Sequence, residues 1–441
     1  MSNCKSQLKD FDFIRISTPD LNGCHMSKLV SSQLAQRIKN NEVDLYGGAI
    51  ALGPRTQYVG IDEFTENKSR NAYFFPDLDT LKPIKWADDL ERDFKVGDVI
   101  ADMKWDETSP VEFHPRIVAA KQIRRLEEMD LELFSAFEPE FRAFKLDSYE
   151  PFSSGLDMYK TTMLAKYEKF FMDAVTKLAV AGIDIQDCCI EHGEGQLEMP
   201  LLPSFGIAAA DKAFRFKQGI KELAKHHQMT ISFMTKPFLS ESSSGNHFNH
   251  SLWYKSTKRN AMFDVKGEDN LSDLALYWIG GLIKHLPAIS ALCCPTANCY
   301  RRLHNFIAPG SLNWDINDRF CSIRVKNFNE KNTYIENRLP SSAACPYHAL
   351  AATIAAGIDG VVNKIYPPPK GDKSMGDLPS NFEEALNILE KDDVIKEALG
   401  EKFVNYFIKI KRDVDLIEIF GKKLNDQEQL ESERKQYFEY I

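Results

Sequence analysis

The chain has 441 residues, 43% of them hydrophobic and 27% charged, with a formal net charge of −9 and a pI near 5.7. That length exceeds one ordinary core and predicts two or more domains. The acidic balance argues against the basic footprint that non-specific nucleic-acid binding needs, and no apolar run of about 18 residues or more predicts a membrane span.

The N-terminal segment MSNCKSQLKDFDFIRIS has no apolar core and no small-residue cleavage site, so no secretory leader is expected. Residues 11–30 read strand, turn, strand, with Asn22 and Gly23 marking the turn. Ser31 and Ser32 then cap a short helical stretch. Residues 72–103 read as short strands broken by Pro76, Pro83 and Gly97. These features predict a small β-rich N-terminal domain over 1–110 and a second, larger domain over 111–441.

From Pro115 the apolar period becomes helical, with proline in the first turn. An aromatic-rich strand over 131–146 follows, then a long amphipathic helix stopped by Gly182. A strand-like 183–200, a helix over 211–228 and a strand over 230–238 come next. Residues 271–292 and 346–358 read as buried helices. The tail reads as one helix over 382–399, stopped by Gly400, and a second over 401–420. Alternating strands and helices predict a mixed α/β larger domain. The nine cysteines include the adjacent pairs Cys188, Cys189 and Cys293, Cys294 without a CxxC pattern, which reads as reduced thiols in the cytosol.

Four clusters carry chemistry. Glu138 and Glu140 stand two apart in an apolar strand and so share a face. Such a pair either sits wet at an edge or needs a cation. Glu191 and Glu198 flank Gly193 and Gly195, which let the chain fold back and bring the carboxylates together; the alternative is a solvated acidic loop. His247 follows Gly245 and Asn246, and a lone histidine is more often a satisfied core or surface residue than a ligand. Glu336 and Arg338 share a strand face. Mostly carboxylates with one imidazole suit Mg²⁺ or Mn²⁺ rather than structural zinc. Arg302, Arg319, Arg324 and Arg338 form a basic set suited to carboxylate or phosphate, or to ordinary surface pairs.

In this order the segments FEPEF, EHGEGQLE, SSGNHFNHSLW, NCYRRL and YIENRLPSSAACPYHALAATIAAGIDG resemble the type I glutamine synthetase family, from about residue 11 to near 420. The resemblance implies an α+β fold, with a small β-grasp-like domain and a large catalytic domain whose antiparallel sheet is surrounded by helices. It implies two Mg²⁺ or Mn²⁺ ions per site, ATP and glutamate as substrates, and a stacked-ring homo-oligomer, a dodecamer. By motif position Glu140, Glu191 and Glu198 resemble the ligands of one metal, and Glu138, His247 and Glu336 those of the other. Arg302, with Arg301 one register away, and Arg338 match glutamate-carboxylate binders, and Gly245 a substrate-side position. Arg319 and Arg324 match residues facing phosphate; Ser251, Asn249 and Arg324 fall on the nucleotide side.

The departures from the family cluster at the amine. Tyr46 stands at the position of the ammonium-site aspartate, with Asp44 two residues away. Ile307 stands where the mobile loop carries a glutamate before Ala308 and Pro309. On the nucleotide side Tyr334 replaces an arginine and Asn249 a histidine; Ser242 replaces an asparagine near the glutamate. Three functions follow as expectations: a ligase joining glutamate to an amine other than ammonia, a lengsin-like non-catalytic assembly protein, or a true glutamate–ammonia ligase.

Overall fold

The computed structural model describes residues 8–66, 68–88, 93–155, 158–305, 307–420 and 424–441. The start of the segment read for a leader, residues 1–7, lies outside them, as does Cys4. The fold is mixed α/β, built on two sheets.

The first sheet has six strands: β1 (Phe13–Pro19), β2 (His25–Ser31), β3 (Asp44–Tyr46), β4 (Asn71–Pro76), β5 (Lys82–Pro83) and β6 (Val96–Lys104). Strands β1 and β2 form the expected antiparallel hairpin, in register from Phe13↔Ser31 to Pro19↔His25. Gly23 has φ +83° in its turn, and a Cβ there would lie 2.6 Å from Cys345 Cβ. Pro76 and Pro83 end their strands as expected, but Gly97 does not break one. It lies inside β6, where the Phe11 ring takes the space of a side chain.

The second sheet has nine strands: β7 (Leu131–Lys145), β8 (Cys189–Ile190), β9 (Gln196–Glu198), β10 (Ser204–Phe205), β11 (Met229–Ser232), β12 (Asn246–Tyr254), β13 (Trp314–Ile316), β14 (Ile323–Asn327) and β15 (Thr333–Asn337). The fifteen-residue β7 is its spine, pairing with β9, β10, β11 and β12. Of the stretch read as strand-like over 183–200, only β8 and β9 pair as strands, in a tight hairpin.

Helices pack around this sheet: α1 (Pro115–Glu128), α2 (Thr161–Val180), α3 (Ala208–Lys225), α4 (Asp273–Cys293), α5 (Pro346–Val362), α6 (Phe382–Lys391), α7 (Asp393–Leu399), α8 (Glu401–Ile410) and α9 (Asp426–Tyr437). Helix α4 is long and apolar enough to cross a membrane by length and composition alone, but most of it is buried within the protein. It crosses α5 at backbone contact, because Gly281 and Gly360 meet there: a Cβ on Gly360 would fall 2.6 Å from Gly281 N. Buried ion pairs tie the first sheet to the helices, including Arg215 to Asp98 at 2.9 Å and Arg116 to both Asp211 and Asp102. The eight described cysteines are free thiols.

The tail departs from its expected two helices for reasons of charge. The helix expected over 382–399 breaks at Asp392, whose side chain caps α7 at Ile395 N and accepts from His285 Nδ1 at 2.6 Å. The helix expected over 401–420 widens to a π-turn at Lys411–Leu416. There the buried Lys411 ammonium reaches Asp415 at 3.2 Å and Asn22 of the β1–β2 turn at 2.8 Å.

His285 is buried between two carboxylates, Asp392 on Nδ1 and Asp359 on Nε2 at 2.9 Å. Burial pushes its pKa down, but the hydrogen bonds and charges of Asp392 and Asp359 outweigh this and leave it raised. A raised folded-state pKa gives stability that is full below the unfolded value near 6.5 and is lost as pH rises through the folded value. His285→Gln should therefore cost about 2 kcal/mol at pH 6. Chemical denaturation from pH 6 to 9 should show the gap to the parent closing with rising pH.

Candidate active site

Sheet register assembles the site. Glu138 and Glu140 project from the same face of β7, as the two-residue spacing requires. Across the β7–β12 ladder Glu138 faces His247, and across β7–β9 Glu140 faces Glu198. Glu336 on β15 faces Asn249 on one side and Arg324 on the other. Gly195, at φ +64°, turns β8 back on β9, so Cys189, Glu191 and Glu198 bring ligand atoms within 4.8 Å of one another. The sequence thus points correctly to the convergence of Glu191 and Glu198, while the thiol beside them carried no signal.

The carboxylates, buried at Glu336 and partly buried at the others, are compensated by different means. Glu140 Oε2 accepts from Gln196 Nε2 at 2.8 Å and from Gly245 N at 3.0 Å. Glu138 accepts from Asn249 Nδ2 at 3.0 Å. Burial raises the Glu138 pKa, but the charge of the neighbouring His247 ring and hydrogen bonds from Glu198 and Asn249 hold it well below the usual carboxylate range. Glu198 is pushed up to about 11 by burial and by the charges of Glu138 and Glu140. Glu191 is likewise raised, chiefly by burial. Glu336, almost wholly buried, is surrounded by cations: Arg338 Nη1 at 2.6 Å, Arg324 Nη1 at 3.1 Å and Lys326 Nζ at 3.6 Å.

His247 is buried with Nδ1 3.4 Å from Glu336 Oε1 and 3.6 Å from Glu138 Oε1. Both are too long for a hydrogen bond, and Nδ1 has no partner among the described residues. An orphaned imidazole nitrogen facing two carboxylate oxygens is a donor set for a divalent cation. Gly245 leaves the space beside it clear, since a Cβ there would fall 2.9 Å from His247 Nε2, 3.0 Å from Arg302 Nη2 and 3.2 Å from Glu140 Oε1.

The arginines divide. Arg302 is buried beside His247 and donates to the carbonyls of Arg338 and Leu339 at 2.9 and 3.0 Å. Arg301 instead turns to Glu433 on α9, at 2.9 Å. Of the two neighbours, Arg302 is the one that lies beside the cluster. Arg338 Nη2 donates to the Ile307 carbonyl at 3.3 Å, and the Ile307 side chain is exposed. Arg319 is exposed on the turn before β14, where its charge reaches the Tyr159 hydroxyl. Arg142, which sequence reasoning passed over, is fully buried and braces both loops of the site, donating to the carbonyls of Glu194 and Ser242.

A cavity of about 490 Å³ opens beside the cluster, lined by Glu138, Glu198, Asn249, Ser251, Lys326 and Tyr334 among others. Ser251 Oγ accepts from Trp253 Nε1 at 3.0 Å. Tyr46 lies on the first sheet, at the end of β3, with its hydroxyl folded over Gly48. Asp44 is engaged by Asn71 Nδ2 at 2.7 Å.

The family model for the glutamine synthetase catalytic domain matches residues 112–429. Lengsin of Rattus norvegicus is 30% identical over 413 residues, covering 91% of this chain and 72% of that protein. A glutamine synthetase of Thermus thermophilus is 31% identical over 399 residues, 85% of this chain and 88% of its own. Among solved structures, GmaS without ligand superposes with a TM-score of 0.83 at 26% identity, covering 97% of each chain. A glutamine synthase homolog superposes at 0.85 with 22% identity, which speaks to the fold alone.

Mn²⁺ should stabilise the protein against heat, by about 2.7 kcal/mol at a hundredfold excess over Kd. Melting with Mn²⁺ or EDTA checks this. Glu140→Ala and Glu198→Ala should lose most of the response. Gly245→Ala should fold yet respond weakly, because its methyl displaces His247 and Arg302.

Proposed function

The chain belongs to the glutamine synthetase family, and from that premise we propose that it is an ATP-dependent ligase joining the side-chain carboxylate of glutamate to an amine other than ammonia. The observation carrying this reading is that the sheet register sets Glu138 across from His247 and Glu140 across from Glu198, with Glu191 close to Glu198, Glu336 3.4 Å from His247, and the His247 nitrogen left unpartnered. In this reading Glu140, Glu191 and Glu198 hold one Mg²⁺ or Mn²⁺ and Glu138, His247 and Glu336 the other. When bound, these ions offset charge on a transferring phosphoryl group.

The remaining residues orient the substrates. Arg302 and Arg338 receive glutamate, with Gly245 leaving room beside Arg302 and His247; Arg319 and Arg324 face the phosphoryl group; Ser251 and Asn249 line the nucleotide side. A glutamate side-chain oxygen attacks the γ-phosphorus, the bond to ADP breaks, and an acyl phosphate forms. The amine nitrogen then attacks the acyl carbon, the C–O bond to phosphate breaks, and the amine gives up a proton. The likeness to GmaS, at 26% identity over 97% of each chain, fits an amine ligase.

The acceptor follows from the missing carboxylates. A bare ammonium is costly to desolvate without a counter-charge, and Tyr46 and Ile307 supply none. Tyr46 offers a cation–π contact worth roughly 0.5–2 kcal/mol, less than a buried carboxylate pair, so an amine bringing its own apolar surface is favoured. The lost carboxylates argue against a true glutamate–ammonia ligase, although formation of the acyl phosphate would not need them. The second reading, a lengsin-like assembly protein without catalysis, is favoured by the extent of the lengsin likeness, 91% of this chain.

A cytoplasmic ring homo-oligomer belongs to the same proposal. Strand β2 is an edge of the first sheet with Leu29 exposed, an edge that needs covering. Light scattering should give a species of about twelve subunits; a monomer would remove this part.

Phosphate release from ATP with glutamate and Mg²⁺ should rise with alkylamines or polyamines and little with ammonium. Tyr46→Asp combined with Ile307→Glu should raise glutamine formation. Efficient glutamine synthesis by the parent would refute the acceptor assignment, and no phosphate release with any amine would favour the lengsin-like reading.

A further inference from the structure

The nucleotide side of the cavity lacks the arginine that the family carries two residues before Glu336, because Tyr334 stands there. A lysine from the neighbouring strand occupies that region. Lys326 on β14 lies directly across the ladder from Tyr334 on β15, so the two side chains share a face. The Lys326 ammonium sits 5.3 Å over the Tyr334 ring and 3.6 Å from Glu336 Oε2. Its side chain is 19% exposed and lines the cavity.

Two features point to a ligand. The ammonium carries three donors, yet its Glu336 contact is longer than a hydrogen bond and it makes none with the described residues. Charges along the cavity wall are also unevenly placed. Glu138, Glu198 and Asp187 line it against Lys326 and Lys331, and Lys331 is exposed. Lys326 is therefore the cation set inside the cavity wall, with an aromatic face beneath it to fix its position.

We infer that Lys326 is a phosphate-binding residue that takes the electrostatic place of the missing arginine, with Tyr334 as its platform. Resting on the ligase reading, it binds the outer phosphates of the nucleotide. Phosphate oxygens accept the ammonium's hydrogen bonds at charge-assisted length and replace its long contact with Glu336. The competing role is neutralisation of Glu336 alone.

Calorimetric titration of the full chain with ATP, inorganic tripolyphosphate and AMP, in Mn²⁺ at two salt concentrations, separates the two roles. Lys326→Met should weaken ATP and tripolyphosphate roughly tenfold or more and reduce their salt dependence, while AMP, lacking the outer phosphates, binds as to the parent. Lys326→Arg should keep parental affinity, and adding Tyr334→Arg to Lys326→Met should restore it. Unchanged or tighter ATP binding in Lys326→Met, with the melting curve of the parent, would reduce Lys326 to a counter-charge and overturn the inference while leaving the ligase reading intact. A parent chain that binds neither ATP nor tripolyphosphate would bring down both.

Discussion

Like charges crowded away from bulk water dominate this structure. Five glutamates, the partly buried Glu138, Glu140, Glu191 and Glu198 and the buried Glu336, meet where β7, β9, β12 and β15 run side by side, and their mutual repulsion must be compensated. Glu140 is met by neutral hydrogen bonds and Glu336 by a ring of cations, while burial and the charges of Glu138 and Glu140 favour the protonated form of Glu198. The last two devices leave the protein receptive to polyvalent ions, because a cation can displace a proton and a phosphate can draw off an arginine or lysine. The apolar framework serves this arrangement by fixing register, since slipping any of these strands by one residue would turn its ligand to the opposite face.

Local patterns were legible where chemistry and period agree. The two-residue spacing of Glu138 and Glu140, the glycines between Glu191 and Glu198, and proline at the start of α1 each state a conformation in the sequence itself. What escaped depends on partners distant along the chain. The break between α6 and α7 is set by His285, more than a hundred residues away, which holds the capping Asp392. Arg142 in an apolar strand reads as an oddity until the carbonyls it braces are seen. Lys326 says nothing by itself, and only the β14–β15 register brings it to Tyr334 and Glu336.

Helix α4 illustrates the same division. Its composition suits either a membrane or the middle of a protein, and periodicity cannot choose between them. The choice is visible in Gly281 and Gly360, which allow α4 and α5 to touch backbone to backbone and bury both faces.

The hold of Arg338 on residue 307 is through a carbonyl, not a side chain. Every amino acid presents that same oxygen, so position 307 can change without loosening the loop or disturbing the Glu336 pairing on the other arm of the guanidinium. On the proposed ligase reading, the parts that would hold phosphate and the part that would select the acceptor are mechanically uncoupled at this point. Under that reading, a lineage could exchange one nitrogen donor for another by substitution at position 307 while the frame stays untouched, which makes old machinery easy to repurpose.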